Sequence, residues 1–196
     1  MSAYRFAWRA LKIVALLVMT ACDSADSSPP SFKVLPQFEL IDQDGNVFTS
    51  EDMSGKTWIT SFIFTSCPTS CPLITARQAN LQKSLQSHAG IHFLSISVDP
   101  ETDQPQKLRD YARQYGADQK QWRLLTGPRE TIKELALKGF LVAVGARERV
   151  DNGYDIVHSR KLFLVDETRT LRGFYDTDEQ GLSQLMHDAI RLSRGR

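Results

Sequence analysis

The chain has 196 residues, of which 41% are hydrophobic and 24% charged, and this suits one globular domain with a sizeable core and an additional segment. A second domain is not expected at this length. Its 24 basic residues nearly balance its 23 acidic ones, for a formal net charge of +1. This balance provides no basic surface for nucleic acid, and we expect no nucleic-acid partner.

The N-terminus has the pattern of an export signal. Three basic residues precede an apolar run over 13–19, and the run ends in small residues before Cys22. A bilayer core requires roughly 20 apolar residues, so an uncleaved anchor fits less well than a signal peptide over 1–21.

Cys22 is the expected lipidation site. The small residues before it resemble a bacterial lipoprotein box, in which the cysteine becomes the acylated first residue; the alternative is an ordinary cysteine inside a removed signal peptide. Asp23 resembles the signal that retains such lipoproteins at the inner membrane of some Gram-negative bacteria. We therefore expect the protein at the periplasmic face of that membrane, with 22–36, rich in Ser, Asp and Pro, as a flexible tether and 37–196 as the folded domain.

The first predicted elements are a hairpin, a buried strand and a helix. Residues 38–40 and 46–48 flank an Asp44-Gly45 turn, which favours a hairpin. The apolar run 58–64 predicts a buried strand, and the apolar spacing after Pro72 predicts a helix.

Further elements follow in alternation. A strand over 91–98 precedes a helix over 105–115, a short strand over 122–125 and a helix over 130–138 that Gly139 ends. Strands over 161–165 and 170–175 form a second hairpin, before a final helix over 179–192. This is the order of an α/β, thioredoxin-like fold, with an added N-terminal β-hairpin and an insertion between Pro100 and Tyr154.

Cys67 and Cys71 occupy the loop between the buried strand and its helix. A helix N-terminus favours the thiolate, and the carboxyl end of a strand is where sites gather in α/β sheets, so we expect reactive or metal-binding sulfur there. A spacing of four residues lets both sulfurs point at one ion, and two thiolates suit Cu(I). In an oxidising compartment an exported dithiol also requires a thiol reductant protein.

His158 is the candidate third ligand. It lies just before the strand 161–165, a position that faces the cysteine loop in the thioredoxin-like order. Dithiol oxidoreductases of this fold usually carry a cis-proline there, whereas no proline occurs between 154 and 161. An ordinary loop histidine is the alternative. The remaining histidines, at 88, 92 and 187, are expected at surfaces or helix ends.

These motifs resemble those of the Sco/SenC family, the thioredoxin-like proteins associated with assembly of the copper A centre of cytochrome c oxidase. The resemblance covers most of the chain after the signal and includes the opening hairpin 38–45, the loop 64–72, the segment 97–105 and the residues 157–159. It implies Cys67, Cys71 and His158 as ligands of Cu(I) and, with an oxygen donor, of Cu(II). The implied partner is a copper-site subunit of a respiratory oxidase.

Two positions depart from the family pattern. Thr69 and Val157 stand where the family commonly has acidic residues. Both changes remove negative charge near the site, which is expected to weaken Cu(II) binding or partner docking. They favour a thiol-redox or non-oxidase role more than a closer match would. Asp155 is a candidate to compensate.

Several functions remain open on the sequence. The leading one is a copper metallochaperone, which is not an enzyme. In the second, a thiol-disulfide reductase, Cys67 attacks a partner's disulfide and Cys71 resolves it. A peroxiredoxin-like peroxidase fits less well, because the Pro-x-x-x-Thr-x-x-Cys loop is absent. A purely structural disulfide would close too short a loop to stabilise much.

Overall fold

A computed structural model describes residues 28–151 and 153–194. The predicted signal peptide, Cys22 and the first part of the tether lie outside the described residues. Within the described ranges, none of the helices has the length and apolar character needed to cross a membrane.

The architecture is one large mixed sheet with helices packed against it. Its strands are β1 Lys33–Val34, β2 Glu39–Asp42, β3 Val47–Thr49, β4 Thr57–Ile63, β5 Ile91–Ser97, β6 Trp122–Thr126, β9 Leu162–Val165 and β10 Thr170–Tyr175; a separate pair consists of β7 Arg147–Val150 and β8 Gly153–Ile156. The large sheet has the order β1-β10-β9-β4-β5-β6-β2-β3. The helices are α1 Cys71–Ser84, α2 Pro105–Gln114, α3 Arg129–Glu134, continued by a π-helical turn Leu135–Gly139, and α4 Glu179–Arg194.

The centre of the sheet confirms the predicted thioredoxin-like order. β4 is buried at all seven positions, as its apolar sequence requires, and it pairs in parallel with β5 and antiparallel with β9. The β9–β10 hairpin and α4 complete the order. The predicted N-terminal hairpin is β2–β3, which β6 from the insertion attaches to the sheet.

The β7–β8 hairpin was not predicted. All four residues of β7 are exposed and three of them are charged, so the segment has no buried face and no alternating pattern to detect. It lies outside the large sheet and leads directly to His158.

The folded part of the chain begins before residue 37, the boundary expected from composition. The Phe32 amide donates to the Leu171 carbonyl at 2.9 Å, β1 continues this pairing with β10, and Leu35 is buried. The Arg172 guanidinium donates to Ser28 Oγ and to the Pro30 carbonyl, both at 2.9 Å. A two-residue strand after a Ser-Pro segment is too short to stand out in the sequence.

Helix α1 is held to the sheet by a buried side chain. Gln78 Nε2 donates to the carbonyls of Ile59 in β4 and Leu94 in β5, at 3.3 and 3.2 Å. This attachment places the first turn of α1, and Cys71 with it, at the carboxyl end of β4.

Candidate metal centre

The two thiols lie at the join of β4 and α1. Cys71 is the first residue of α1 and is fully buried, whereas Cys67 in the preceding loop is 6% exposed. The Cys71 amide donates to Cys67 Sγ at 3.5 Å, and the Phe64 amide donates to Cys71 Sγ at 3.4 Å. Both are free thiols. The loop thus presents one sulfur towards the surface with the second directly behind it.

Asp103 holds the start of this loop. Its buried carboxylate accepts hydrogen bonds from the Thr65 amide at 3.0 Å, from Thr65 Oγ1 at 2.5 Å and from Ser97 Oγ at 2.6 Å. Three hydrogen bonds satisfy a carboxylate that would otherwise be costly to bury. The cysteine loop is therefore fixed to the end of β5.

His158 reaches the thiols from the other side. Its Nε2 lies 3.4 Å from Cys71 Sγ, and its Nδ1 lies 2.7 Å from the Ile156 carbonyl. Because a carbonyl oxygen only accepts, Nδ1 carries the ring hydrogen of the neutral imidazole, and Nε2 faces the sulfur with a free lone pair. This is the tautomer that a metal ligand requires.

A second buried aspartate holds the His158 side of the site. Asp99 accepts hydrogen bonds from Tyr154 Oη at 2.5 Å and from the Arg147 guanidinium. That guanidinium also stacks on the Tyr154 ring, 4.2 Å from its centroid. Phe64 contacts both the Tyr154 ring and, edge to face, the His158 ring. The β7–β8 hairpin is thereby tied to the loop that follows β5.

The two thiols have opposite pKa shifts. Burial alone would raise the pKa of Cys67, but hydrogen bonds from the Cys71 and Thr69 amides hold it below its usual value. Burial raises the pKa of Cys71 well above the ordinary range, and the neighbouring Cys67 adds to the effect. Cys67 is therefore the sulfur more readily ionised, and Cys71 keeps its proton unless a cation replaces it.

Burial also lowers the pKa of His158, against the opposing effects of its bond to the Ile156 carbonyl and of the Asp155 charge. The ring is accordingly neutral at physiological pH, with Nε2 available.

A small surface cavity of about 220 Å³ adjoins the histidine, lined by Thr69, Ser70, Asp155, Ile156, Val157, His158 and Arg160. The Asp155 charge acts on both Cys71 and His158, so its carboxylate lies near both side chains. Val157 is 62% exposed, and Thr69 Oγ1 lies 3.6 Å from Cys67 Sγ.

Cys67, Cys71 and His158 thus converge from positions up to 91 residues apart in the sequence. Cys71 contacts both other residues, yet the part of the chain that the structure describes contains no three His, Cys, Asp or Glu side chains already arranged around one point as a metal site. Joint coordination requires a local adjustment of the loop, and the ligand assignment stays a prediction. The other histidines lie elsewhere; His92, for example, packs on Trp58.

Sequence reasoning assigned no role to the four side chains that position the site, namely Asp99, Asp103, Arg147 and Tyr154. The two aspartates lie in the segment 97–105 that carries part of the resemblance, two and six residues after the end of β5, which was a detectable signal for a role at the sheet edge. Arg147 and Tyr154 gave no such signal, because the hairpin that carries them was not predicted.

Comparisons with known proteins identify the family of this chain. The SCO1/SenC family model matches residues 26–192. The chain belongs to the SCO1/SenC family. The SCO1 protein homolog of Bacillus subtilis is 34% identical over 180 residues, which cover 90% of this chain and 92% of the relative.

Solved structures of Sco proteins share the fold. A SCO1/SenC family lipoprotein from Bacillus anthracis has a TM-score of 0.76 and 30% identity, covering 86% of this chain and 100% of its own. BsSco, described as a member of the Sco family of cytochrome c oxidase assembly proteins, has a TM-score of 0.75 and 29% identity, covering 87% and 98%. Arabidopsis thaliana ScoI with copper bound has a TM-score of 0.71 and 26% identity, covering 84% and 100%.

Proposed function

We propose that this Sco protein is a membrane-anchored periplasmic metallochaperone, which takes Cu(I) on Cys67, Cys71 and His158 and delivers it to the copper-site subunit of a respiratory oxidase. The observation that carries the proposal is the 3.4 Å approach of His158 Nε2 to Cys71 Sγ, with the free lone pair of the imidazole directed at the thiol. A copper-bound Sco structure and an assembly-protein relative support the cargo and the partner.

The donor set suits the proposed cargo. Two thiolates and one imidazole are soft to intermediate ligands, which Cu(I) prefers at low coordination number. Cu(II) requires a further oxygen donor, and Asp155 is the candidate among the residues lining the cavity. The cavity beside His158 is open to the surface, which supports ligand exchange with a docked partner.

Anchoring through acylated Cys22 is the proposed route to the membrane. Its support is the signal-like sequence before Cys22 and the similarity to a lipoprotein of Bacillus anthracis. A tethered domain meets a membrane-embedded partner at raised effective concentration.

The test is Cu(I) stoichiometry and affinity of the reduced protein, measured by competition with a chromophoric Cu(I) chelator. We expect one Cu(I) per chain, and loss of stoichiometric binding in Cys67→Ser, Cys71→Ser and His158→Ala. His187→Ala, on the exposed face of α4, is the matched control and should bind like the wild type. Unchanged affinity in His158→Ala would overturn the three-ligand proposal.

A thiol-disulfide reductase is the second candidate, and the arrangement of the two sulfurs supports it. The Cys67 thiolate attacks one sulfur of a partner disulfide, forming a mixed disulfide and releasing the other sulfur as a thiolate. Cys71 then attacks Cys67 Sγ, its proton passes to the departing partner sulfur, and the second partner thiol is released. The protein supplies two electrons and ends as a disulfide, which a thiol reductant protein must reduce again.

His158 separates the two candidates. Copper retention requires the imidazole, whereas disulfide exchange requires only the dithiol. His158→Ala should therefore lose Cu(I) while still reducing a small disulfide such as dithiobis(nitrobenzoate) at the wild-type rate. If His158→Ala still binds Cu(I) but no longer reduces the disulfide, His158 serves disulfide reduction and not copper retention, and the proposed distinction is wrong.

A further inference from the structure

The outer edge of the sheet at β1 and β10 carries an exposed apolar surface. Phe32 and Phe174 are 45% and 41% exposed and stack on each other at 4.9 Å, and Val34 beside them is 56% exposed. Every other phenylalanine in the described ranges is buried. We name Phe32, Val34 and Phe174 the edge patch.

The chain that leads to Cys22 leaves the domain at this patch. Arg172 binds Ser28 and Pro30, and its position is fixed in turn by an ion pair with the Asp166 carboxylate at 2.7 Å. From Ser28 to Cys22 there are six peptide steps, which span at most about 22 Å. An acyl chain on Cys22 would hold Ser28, four residues before Phe32, within that distance of the bilayer surface.

We propose that the edge patch is a membrane-contact surface, which lies in the bilayer interface. The proposal rests on the acylation of Cys22 put forward above. Phenylalanine is among the residues that membrane-surface segments bury at the boundary between headgroups and acyl chains. The patch is small, so it acts together with the anchor and does not replace it.

The charges around the patch indicate an apolar rather than an electrostatic contact. Lys33 is exposed beside it, but Asp176 and Asp178 follow Phe174 closely, and Asp176 pairs with Lys161. There is thus no net basic surface for anionic headgroups, and the contact should persist at 0.5 M salt.

The test is amide hydrogen exchange of the full acylated chain in vesicles of phosphatidylethanolamine and phosphatidylglycerol at 3:1, compared with the Cys22→Ser chain in solution. We expect at least threefold slower exchange over 30–34 and 172–175 in vesicles. Phe32→Ser/Phe174→Ser should abolish this protection. Ile41→Ser/Val47→Ser, the matched exposed pair on the opposite edge of the sheet, should retain it.

Mass spectrometry of Cys22 separates the possible failures. An acylated chain without protection at the edge patch overturns the membrane-contact surface and leaves the anchor intact, whereas a chain without acyl groups overturns the anchor and this proposal together. Protection of the patch in the soluble chain that increases with protein concentration would assign it to a second copy and overturn the proposal.

Discussion

The two halves of the candidate copper site are built in different ways. The thiol half continues from β4, a strand buried at every position, into α1, so the backbone of the core determines where the sulfurs lie. The imidazole half follows a two-stranded hairpin outside the large sheet, and side chains around Asp99 attach it to the domain. This difference indicates that substitutions in the thiol half also lower the stability of the fold, whereas substitutions around Asp99 can release the imidazole half alone.

The largest expected effect tests the thiol half. Asp103→Ala leaves the Thr65 amide and two hydroxyls without their buried acceptor, so we expect a loss of about 3 kcal/mol of unfolding free energy, together with weaker Cu(I) binding. Urea denaturation measures it. Asp110→Ala, which removes an exposed carboxylate from α2, should change stability by less than about 0.5 kcal/mol. Equal behaviour of the two variants would show that Asp103 does not hold the loop.

The next effect tests the imidazole half. Asp99→Asn weakens the attachment of Arg147 and Tyr154, and it should reduce Cu(I) affinity about 10- to 100-fold while leaving the large sheet folded. Amide exchange should become faster over β7 and β8 and stay unchanged over β4. Tyr154→Phe removes one hydrogen bond to Asp99, and it should lower the unfolding free energy of the hairpin by only about 1 kcal/mol. Unchanged exchange in the hairpin would contradict the attachment.

A pH dependence sharpens the same comparison. Burial alone would raise the pKa of Asp99, but the hydrogen bonds from Tyr154 and Arg147 hold it below its usual value. A depressed folded-state pKa stabilises the protein above the unfolded value of about 3.9, and this stability is lost as the pH falls through the folded pKa. Wild-type Tm should therefore fall more steeply than that of Asp99→Asn below about pH 4. The variant keeps part of the slope, because the pKa of Asp166 is also lowered. Identical slopes would refute this account.

The smallest effect concerns the exposed position before His158. Val157→Asp restores an acidic residue where the family commonly has one, and it should strengthen Cu(II) binding by about threefold at low salt without changing Cu(I) stoichiometry. Absorption titration with Cu(II) measures it. Val157→Asn, of similar size but uncharged, should leave the affinity unchanged; equal gains in both variants would rule out charge as the cause.

The sequence predicted the part of the molecule that local patterns encode. The apolar run ending at Phe64 and the periodic stretch after Pro72 determine a strand and a helix, and the cysteines between them follow. The approach of His158 to Cys71 was inferred from fold order and agrees with the structure. The contacts of Asp99 with Arg147 and Tyr154 depend on a polar hairpin whose position is set by tertiary contacts, and no local pattern encodes them.

The amide of Cys71 belongs to the first turn of α1, where no helical carbonyl is available to accept its hydrogen. Its hydrogen bond to Cys67 Sγ is therefore additional to the helix ladder and not part of it. In the proposed function, an ion that draws that sulfur outwards and later departs would cost α1 none of its own hydrogen bonds. Uptake and handover of copper would therefore require no unwinding of the helix.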